Sequence, residues 1–194
     1  MERVILTRYG EVFLKGQNRP YFQRILLNNI KKALADIPDV RVRNTQGRIY
    51  VENYSNEAAV IRALTCVFGI VSVSPAVKTE KDFETLVRHS EKLMEGVLST
   101  LQKGELLTFK VESRRADKQY PMDSLSISRE LGGRLLDKFP NLKVDVHHPD
   151  VTLHVEVREH AYLYHETIPC AGGMPVGTNG KAALLLSGGI DSPV

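Results

Sequence analysis

Near the carboxyl end of the sequence lies a short motif whose residue types suit phosphate binding, Ser-Gly-Gly-Ile-Asp-Ser at 187–192. Gly188 and Gly189 have no side chains, so successive backbone N–H groups can turn inward against phosphate oxygens. The two serine hydroxyls can add further donors. Asp191 needs another explanation, because a carboxylate repels phosphates unless it holds Mg²⁺ or orients a donor of the loop. The motif predicts an anion-binding loop and leaves both roles of Asp191 open.

The residues around this motif must position it against an anion. The apolar run 182–186 predicts a buried strand that leads directly into the loop. A helix that starts after the loop would direct its positive end at the anion. No Gly-Lys-Ser or Gly-Lys-Thr follows, so this is not a Walker A loop, and an ordinary turn is the alternative. The motif resembles instead the PP-loop of ATP pyrophosphatases, which split ATP into AMP and pyrophosphate while they adenylate a substrate.

Basic residues are concentrated in the first quarter of the chain. Residues 1–50 contain ten Lys and Arg against four Asp and Glu, whereas the whole chain of 194 residues has a formal net charge of only +3. A basic part beside a near-neutral part favours an anionic partner that docks on one side. A solvated surface with a chance excess of cations is the alternative.

Composition narrows the class of protein. Hydrophobic residues make up 42% and charged residues 25%, as in ordinary globular proteins. No apolar run approaches the roughly 18 residues of a membrane span, and the first residues do not form a signal peptide. Cys66 and Cys170 form no CxxC pair, which argues against a disulfide framework and a zinc site. We therefore expect a cytoplasmic protein with no membrane partner and no structural metal.

The periodicity of residues 1–76 predicts a ferredoxin-like domain. Two amphipathic helices lie between predicted strands, with Asn18 and Ser55 as their N-caps. The strands are predicted at 3–9, 40–44, 48–52 and 70–77. The resulting order β-α-β-β-α-β is that of the ferredoxin-like fold.

Residues 77–168 predict a second α/β unit with a mixed or antiparallel sheet. Its helices are predicted after Thr79 and from Asp123, and its strands at 106–113, 144–146, 151–157 and 161–168. Residues 169–181 are rich in Gly and Pro and lose apolar periodicity, which predicts a linker. The predicted fold class is therefore α+β, with two domains ahead of the strand and loop at 182–194.

Taken whole, the sequence resembles the amino-terminal portion of the tRNA 4-thiouridine synthetase (ThiI) family. Matching segments carry the resemblance, at 8–19, 109–121, 149–157, 161–166 and 172–194. It implies a ferredoxin-like domain, then a THUMP domain whose footprint starts near residue 60 or 77, then the start of a truncated PP-loop domain. The family continues past Val194, so the resemblance implies a fragment without turnover of its own.

The same resemblance implies an ATP-dependent tRNA sulfurtransferase. ATP and Mg²⁺ would serve to adenylate O4 of the uridine at position eight of tRNA, and a sulfur donor would displace AMP to give 4-thiouridine. A cysteine desulfurase would carry the sulfur as persulfide, and some members also pass sulfur to the sulfur carrier protein of thiazole synthesis, for thiamine. The positions that match the ATP-binding residues are Leu185, Leu186, Ser187, Gly188, Gly189, Asp191 and Ser192, with Asp191 as the catalytic candidate.

Basic side chains at predicted surface positions are candidates for RNA phosphate contacts. The candidates are Lys110, Arg114, Arg115, Lys118, Arg129, Arg134, Arg24 and Lys31, and Lys15 and Arg19 could extend the patch. For each single residue, a solvated surface position is the competing interpretation. Gly132 and Gly133 interrupt a predicted helix at a cost of about 1 kcal/mol each. Either another backbone or RNA packs closely against them, and packing of another backbone is the favoured explanation.

Two other functions stay open at this point. One is a PP-loop ligase that acts on a small molecule, although such an enzyme needs no basic α/β modules ahead of its ATP-binding domain. The other is a pure RNA-binding module in which the glycine motif is incidental. The sequence also leaves the oligomeric state open, and a homodimer is one option.

Overall fold

The structure, a computed structural model, describes residues 2–181 and 183, apart from Gln46 and Lys103. The described residues form nine strands of one sheet, and none of their helices is both long and apolar enough to cross a bilayer. The strands are β1 (Glu2–Tyr9), β2 (Arg41–Thr45), β3 (Arg48–Glu52), β4 (Ile70–Thr79), β5 (Leu107–Arg115), β6 (Leu142–Val144), β7 (Val151–Val157), β8 (Ala161–Tyr164) and β9 (Ile168–Pro169). The helices are α1 (Arg19–Ala33), α2 (Glu57–Thr65), α3 (Phe83–Leu98) and α4 (Ser124–Lys138), and a 3₁₀ segment, Glu11–Asn18, precedes α1.

The elements β1 to β4, with α1 and α2, form the first domain. Its strands lie in the order β2-β3-β1-β4, with antiparallel neighbours throughout. Both helices cover one face of this sheet, because their apolar stripes, which include Leu26 and Val60, pack with Ile5 and Val51 of the strands. The ferredoxin-like arrangement predicted from the sequence is confirmed.

The elements α3 to β8 form the second domain, with strand order β8-β7-β5-β6. β5 is parallel to both β6 and β7, whereas β8 is antiparallel to β7, so this part of the sheet is mixed. Helices α3 and α4 bury Leu86, Met94 and Leu131 against Phe109 and Val155 of the strands. The predicted mixed α/β architecture with two successive domains is thereby confirmed.

One strand joins the two domains. β4 pairs with β1 along one edge, from Ile70 to Lys78, and its last three residues pair with β8 along the other edge. The boundary predicted between residues 76 and 77 therefore lies inside a single continuous strand. Because backbone hydrogen bonds run through the junction, the two domains share a sheet and hold a fixed orientation.

The segment predicted as a linker begins as part of the first domain. β9 pairs with β4. The N–H of Gly172 donates to the carbonyl of Ile70, and the N–H of Gly69 donates to the carbonyl of Gly172, each at 2.7 Å. The chain after β8 thus returns along β4, and residues 168–172 are attached to the first domain by backbone hydrogen bonds.

The starts of the helices agree only partly with the prediction. α4 begins after Asp123, as predicted. The N-cap of α2 is Asn56 and not Ser55, because the side-chain oxygen of Asn56 accepts from the N–H of Ala59 at 3.0 Å. Asn18 does precede α1, but its own backbone is already helical, so its side chain makes no capping hydrogen bond.

Candidate nucleic-acid interface

The helix-free surface of the sheet carries an apolar cluster where the two domains meet. Alternation along β1 directs Val4 and Leu6 away from the helices. They cluster with Tyr50 of β3 and with Tyr162 and Tyr164 of β8. The rings of Tyr50 and Tyr162 stack with their centroids 4.8 Å apart. Because β1 and β4 lie between β3 and β8, two rings this close require the sheet to curl toward its helix-free face.

A buried carboxylate lies at this junction and is held from both domains. Glu156 of β7 is 3% exposed. Its Oε1 accepts hydrogen bonds from Arg48 at 3.1 Å and from the Tyr164 hydroxyl at 2.9 Å, and its Oε2 accepts from Arg158 at 3.1 Å. Burial alone would raise the pKa of Glu156, but the Arg48 hydrogen bond and the charges of Arg48 and Arg158 outweigh it and lower the pKa to about 2.

A second arginine bridges the domains beside Glu156. Arg43 of β2 donates to the Tyr162 hydroxyl at 3.0 Å and to Glu159 at 2.6 Å, both in the second domain. It also donates to Glu52 of its own domain at 3.2 Å. Its guanidinium carbon lies 4.7 Å from the centre of the Tyr50 ring.

Some of the Lys and Arg residues that outnumber the acids in residues 1–50 therefore make contacts within the protein. Arg43 and Arg48 are paired with carboxylates of the second domain, and Arg8 lies over the Tyr164 ring at 4.8 Å. The charge count predicted a docking surface for an anion and could not distinguish it from such a domain junction. Only the alternation of β7, which places Glu156 and His154 on one face, could have pointed to a buried acid there.

The candidate cations at the end of β5 do not form one patch. Alternation places Lys110 and Arg114 on the helix-free face of the sheet. Arg114 is largely exposed and pairs with Glu112 at 3.1 Å. Lys118 is exposed in the loop that follows β5. Arg114 and Lys118 are exposed and Lys110 is partly exposed, so an RNA backbone could reach them.

Arg115 makes hydrogen bonds within its own domain. It lies on the opposite face of β5 from Arg114, and its guanidinium donates to the carbonyls of Tyr120 at 3.0 Å and Met122 at 3.3 Å. These bonds hold the loop that leads into α4. The structure thus separates two adjacent arginines that the sequence had grouped.

The candidates on α4 flank an apolar groove. Arg129 is exposed, and together with Leu125, Leu136 and Val144 it lines a groove of about 380 Å³ between α4 and the edge strand β6. Arg134 pairs with Glu84 of α3 at 2.8 Å. The groove runs past the two glycines of the helix, Gly132 and Gly133.

The packing predicted for these glycines is wrong. A Cβ at Gly132 would meet only a methyl group of Val111, at 3.8 Å, which is an ordinary contact. A Cβ at Gly133 would meet no described atom within 4 Å. No backbone approaches either position in the described part of the chain, so packing does not require a glycine there.

The candidates on α1 lie on a different surface. Arg24 and Lys31 are exposed on the solvent side of α1, which covers the helix-bearing face of the first domain. Lys110 and Arg114 lie on the helix-free face. The cations on α1 therefore lie apart from those of the second domain, in which Lys110 and Arg129 line the same groove.

The motif that carries the predicted ATP chemistry is not part of this geometry. Leu185, Leu186, Ser187, Gly188, Gly189, Asp191 and Ser192 all lie outside the described residues. Within residues 2–181, no three His, Cys, Asp or Glu side chains come together as a metal site.

Two family models match the two domains. Residues 4–74 match the model described as the ThiI ferredoxin-like domain, and residues 80–166 match the THUMP domain. The protein named "Probable tRNA sulfurtransferase" from Acetivibrio thermocellus is 50% identical over 198 residues, which covers 100% of this chain and 50% of that protein. A protein of the same name from Thermoanaerobacter pseudethanolicus is 47% identical and covers 100% of this chain and 49% of its own length. The chain spans about half the length of the curated relatives it matches.

Solved structures share the fold over most of the chain. A 4-thiouridine synthetase solved as an RNA complex with bound ATP superposes with a TM-score of 0.82 at 38% identity, over 100% of this chain and 48% of that one. A protein of Pyrococcus horikoshii superposes with a TM-score of 0.81 at 35% identity, over 91% of this chain and 58% of that one.

Proposed function

Because the chain belongs to the tRNA sulfurtransferase (ThiI) family, we propose that its two described domains bind tRNA for an enzyme that makes 4-thiouridine. The observation that carries the proposal is the superposition of the whole chain on a 4-thiouridine synthetase solved with RNA. The shared strand β4 suits this task, because two domains held at a fixed orientation need no further ordering when RNA binds.

The finer proposal concerns the reaction of the whole protein. ATP, with Mg²⁺, would supply the AMP that converts O4 of the uridine at position eight into a leaving group. The residues proposed to bind ATP are those of the motif, Leu185 to Ser192 without Ile190, and Asp191 is the proposed catalytic residue. A cysteine desulfurase as persulfide donor, the sulfur carrier protein of thiazole synthesis and a homodimer belong to the same proposal.

The binding part is tested with the chain itself. Fluorescence anisotropy with an unmodified tRNA transcript, over a series of salt concentrations, measures the association constant. We expect its logarithm to fall linearly with the logarithm of salt concentration, because bound phosphates release counterions. Absence of binding at low salt would contradict the proposal and favour a PP-loop ligase that acts on a small molecule.

The chemical part is tested after the chain is joined to the remaining half of its Acetivibrio thermocellus relative. With ATP and a cysteine desulfurase, mass spectrometry of the tRNA measures 4-thiouridine. We expect Asp191→Ala to abolish the product and the control Asn179→Ala, an exposed position outside the motif, to leave it unchanged. Full product with Asp191→Ala would favour an RNA-binding module in which the motif is incidental.

A further inference from the structure

An arginine at the start of α1 lies over an aromatic ring that itself stacks on a second ring. Tyr9 and Phe13 stack with centroids 5.0 Å apart and an interplanar angle of 14°. The guanidinium carbon of Arg19 lies 4.0 Å from the centre of the Phe13 ring. Gln23 donates to the Tyr9 hydroxyl at 2.6 Å and fixes the base of this column. The contact with the ring restrains the position of the guanidinium.

This cation has no counter-anion among the described residues. Arg43, Arg48 and Arg158 each pair with a glutamate, whereas no described carboxylate lies within ion-pair distance of Arg19. Its Nε is shielded from solvent and has no acceptor in the described part of the chain. A half-buried charge without a counter-ion is costly, so an anion bound beside the guanidinium would be stabilised.

The space beside Arg19 has the size and the donors for an anion. An open pocket of about 490 Å³ is lined by Arg19, Gln23, Asn44, Thr45 and Gly47. Amide and hydroxyl groups line it, and none of these residues is acidic. The pocket therefore combines a fixed cation with neutral donors and no competing negative charge.

The pocket continues toward the second domain. Thr45, at the end of β2, also lines a neighbouring pocket of about 530 Å³ together with Ala116, Asp117, Arg158 and Glu159. The acids of this second pocket are neutralised. Asp117 pairs with Lys81 at 2.7 Å, and Glu159 pairs with Arg43 at 2.6 Å. A strand that enters at Arg19 could thus pass Thr45 and reach the loop that carries Lys118.

We propose that the Arg19 pocket binds a backbone phosphate of RNA. The proposal rests on the proposed function, and it assigns the first domain a contact of its own. A planar guanidinium can donate two parallel hydrogen bonds to a phosphate, and a lysine at this position could supply only a point charge. The occupant is RNA and not a free anion, because the adjoining pocket extends the site along a path that a chain of phosphates could follow.

The test compares Arg19→Ala and Arg19→Lys with Arg62→Ala, an exposed arginine of α2 in the same domain. Binding of an unmodified tRNA transcript is measured by anisotropy at several salt concentrations. We expect Arg19→Ala to weaken binding about tenfold and to lower the salt slope by about one, and Arg62→Ala to change neither. Arg19→Lys should keep the salt slope and still bind less tightly, because lysine keeps the charge and cannot donate two parallel hydrogen bonds.

A second measurement does not depend on a variant that might disturb the aromatic column. The Nε–Hε resonance of Arg19 in the wild-type chain should shift when the tRNA transcript is added and stay in place with inorganic phosphate at the same phosphate concentration. Wild-type affinity and salt slope in Arg19→Ala would overturn this inference and leave the proposed function standing. A shift with inorganic phosphate alone would make the pocket a site for free anions and overturn it too. No tRNA binding by the wild type would instead remove the proposed function.

Discussion

The carboxylate of Glu156 in the second domain accepts a hydrogen bond from the guanidinium of Arg48 in the first at 3.1 Å. Taking both groups out of water is costly, and the pair is sustained because Tyr164 and Arg158 satisfy the remaining lone pairs. A rotation of one domain against the other would break the Arg48 hydrogen bond and leave the buried carboxylate with the partners of its own domain, Tyr164 and Arg158. The pair therefore specifies the orientation in which the two domains present their surfaces.

Removing the charge of Glu156 should weaken the fold. In Glu156→Gln the neutral amide cannot balance Arg48 and Arg158, so we expect the free energy of unfolding to fall by about 3 kcal/mol. Urea unfolding at pH 7 measures it. The matched control is Glu159→Gln, which breaks an exposed pair with Arg43 and should cost no more than about 1 kcal/mol. Equal costs for the two variants would contradict the importance of burial.

The contribution of Glu156 should depend on pH in a defined direction. Its pKa is lowered from 4.5 to about 2 in the folded protein. A depressed pKa contributes stability that is present above the unfolded value and is lost as pH falls toward the folded value. The difference between wild type and Glu156→Gln should be constant above about pH 5 and shrink by about 1.4 kcal/mol per unit below 4.5. A difference that does not change down to pH 3 would count against the ion pair.

Two glycines should respond to alanine in opposite ways. Gly69 has φ +99°, and a Cβ there would lie 2.9 Å from Pro175 and 3.1 Å from Leu26. We expect Gly69→Ala to cost about 1–3 kcal/mol. Hydrogen exchange should also show faster exchange at Gly172, whose N–H and carbonyl bond to this turn.

Gly133→Ala is the matched comparison on α4. The position is exposed and helical, and nothing described lies within 4 Å of a new Cβ. We expect thermal unfolding to show a gain of about 1 kcal/mol, because alanine loses less backbone entropy in a helix. A loss of stability would mean that the glycine serves a contact that the described residues do not make.

The adjacent arginines of β5 should have separable roles. Arg114 is largely exposed, so Arg114→Ala should lower the salt slope of tRNA binding by about one and leave stability within about 0.5 kcal/mol. Arg115→Ala removes the bonds to the carbonyls of Tyr120 and Met122 and should cost about 1–3 kcal/mol. If Arg115→Ala instead lowered the slope and kept full stability, Arg115 would be the phosphate contact.

Apolar periodicities of two residues for strands and of three to four residues for helices predicted the secondary structure well. The apolar stripes of α1 and α2 and the alternation of β7 are local features, and the structure confirms the strands and helices that they predicted. The errors also have local causes. Asn56 and Ser55 are both good caps by residue type, and the structure uses Asn56, whose backbone is extended as an N-cap requires. Asn18 was predicted as the N-cap of α1, because nothing in the sequence indicated the 3₁₀ segment that precedes the helix. The irregular course of that segment depends on a positive φ at Gly16.

The order of elements and the two-domain architecture follow from the sequence alone, because hydrophobic periodicity is a property of neighbouring residues, and the resemblance of whole segments indicated the family. The tertiary structure decided which cations remain available and which are used internally. Arg48 and Glu156 are 108 residues apart, and Arg43 and Tyr162 are 119 apart. No local pattern records such pairs, because they depend on which strands become neighbours and on how the shared sheet curls.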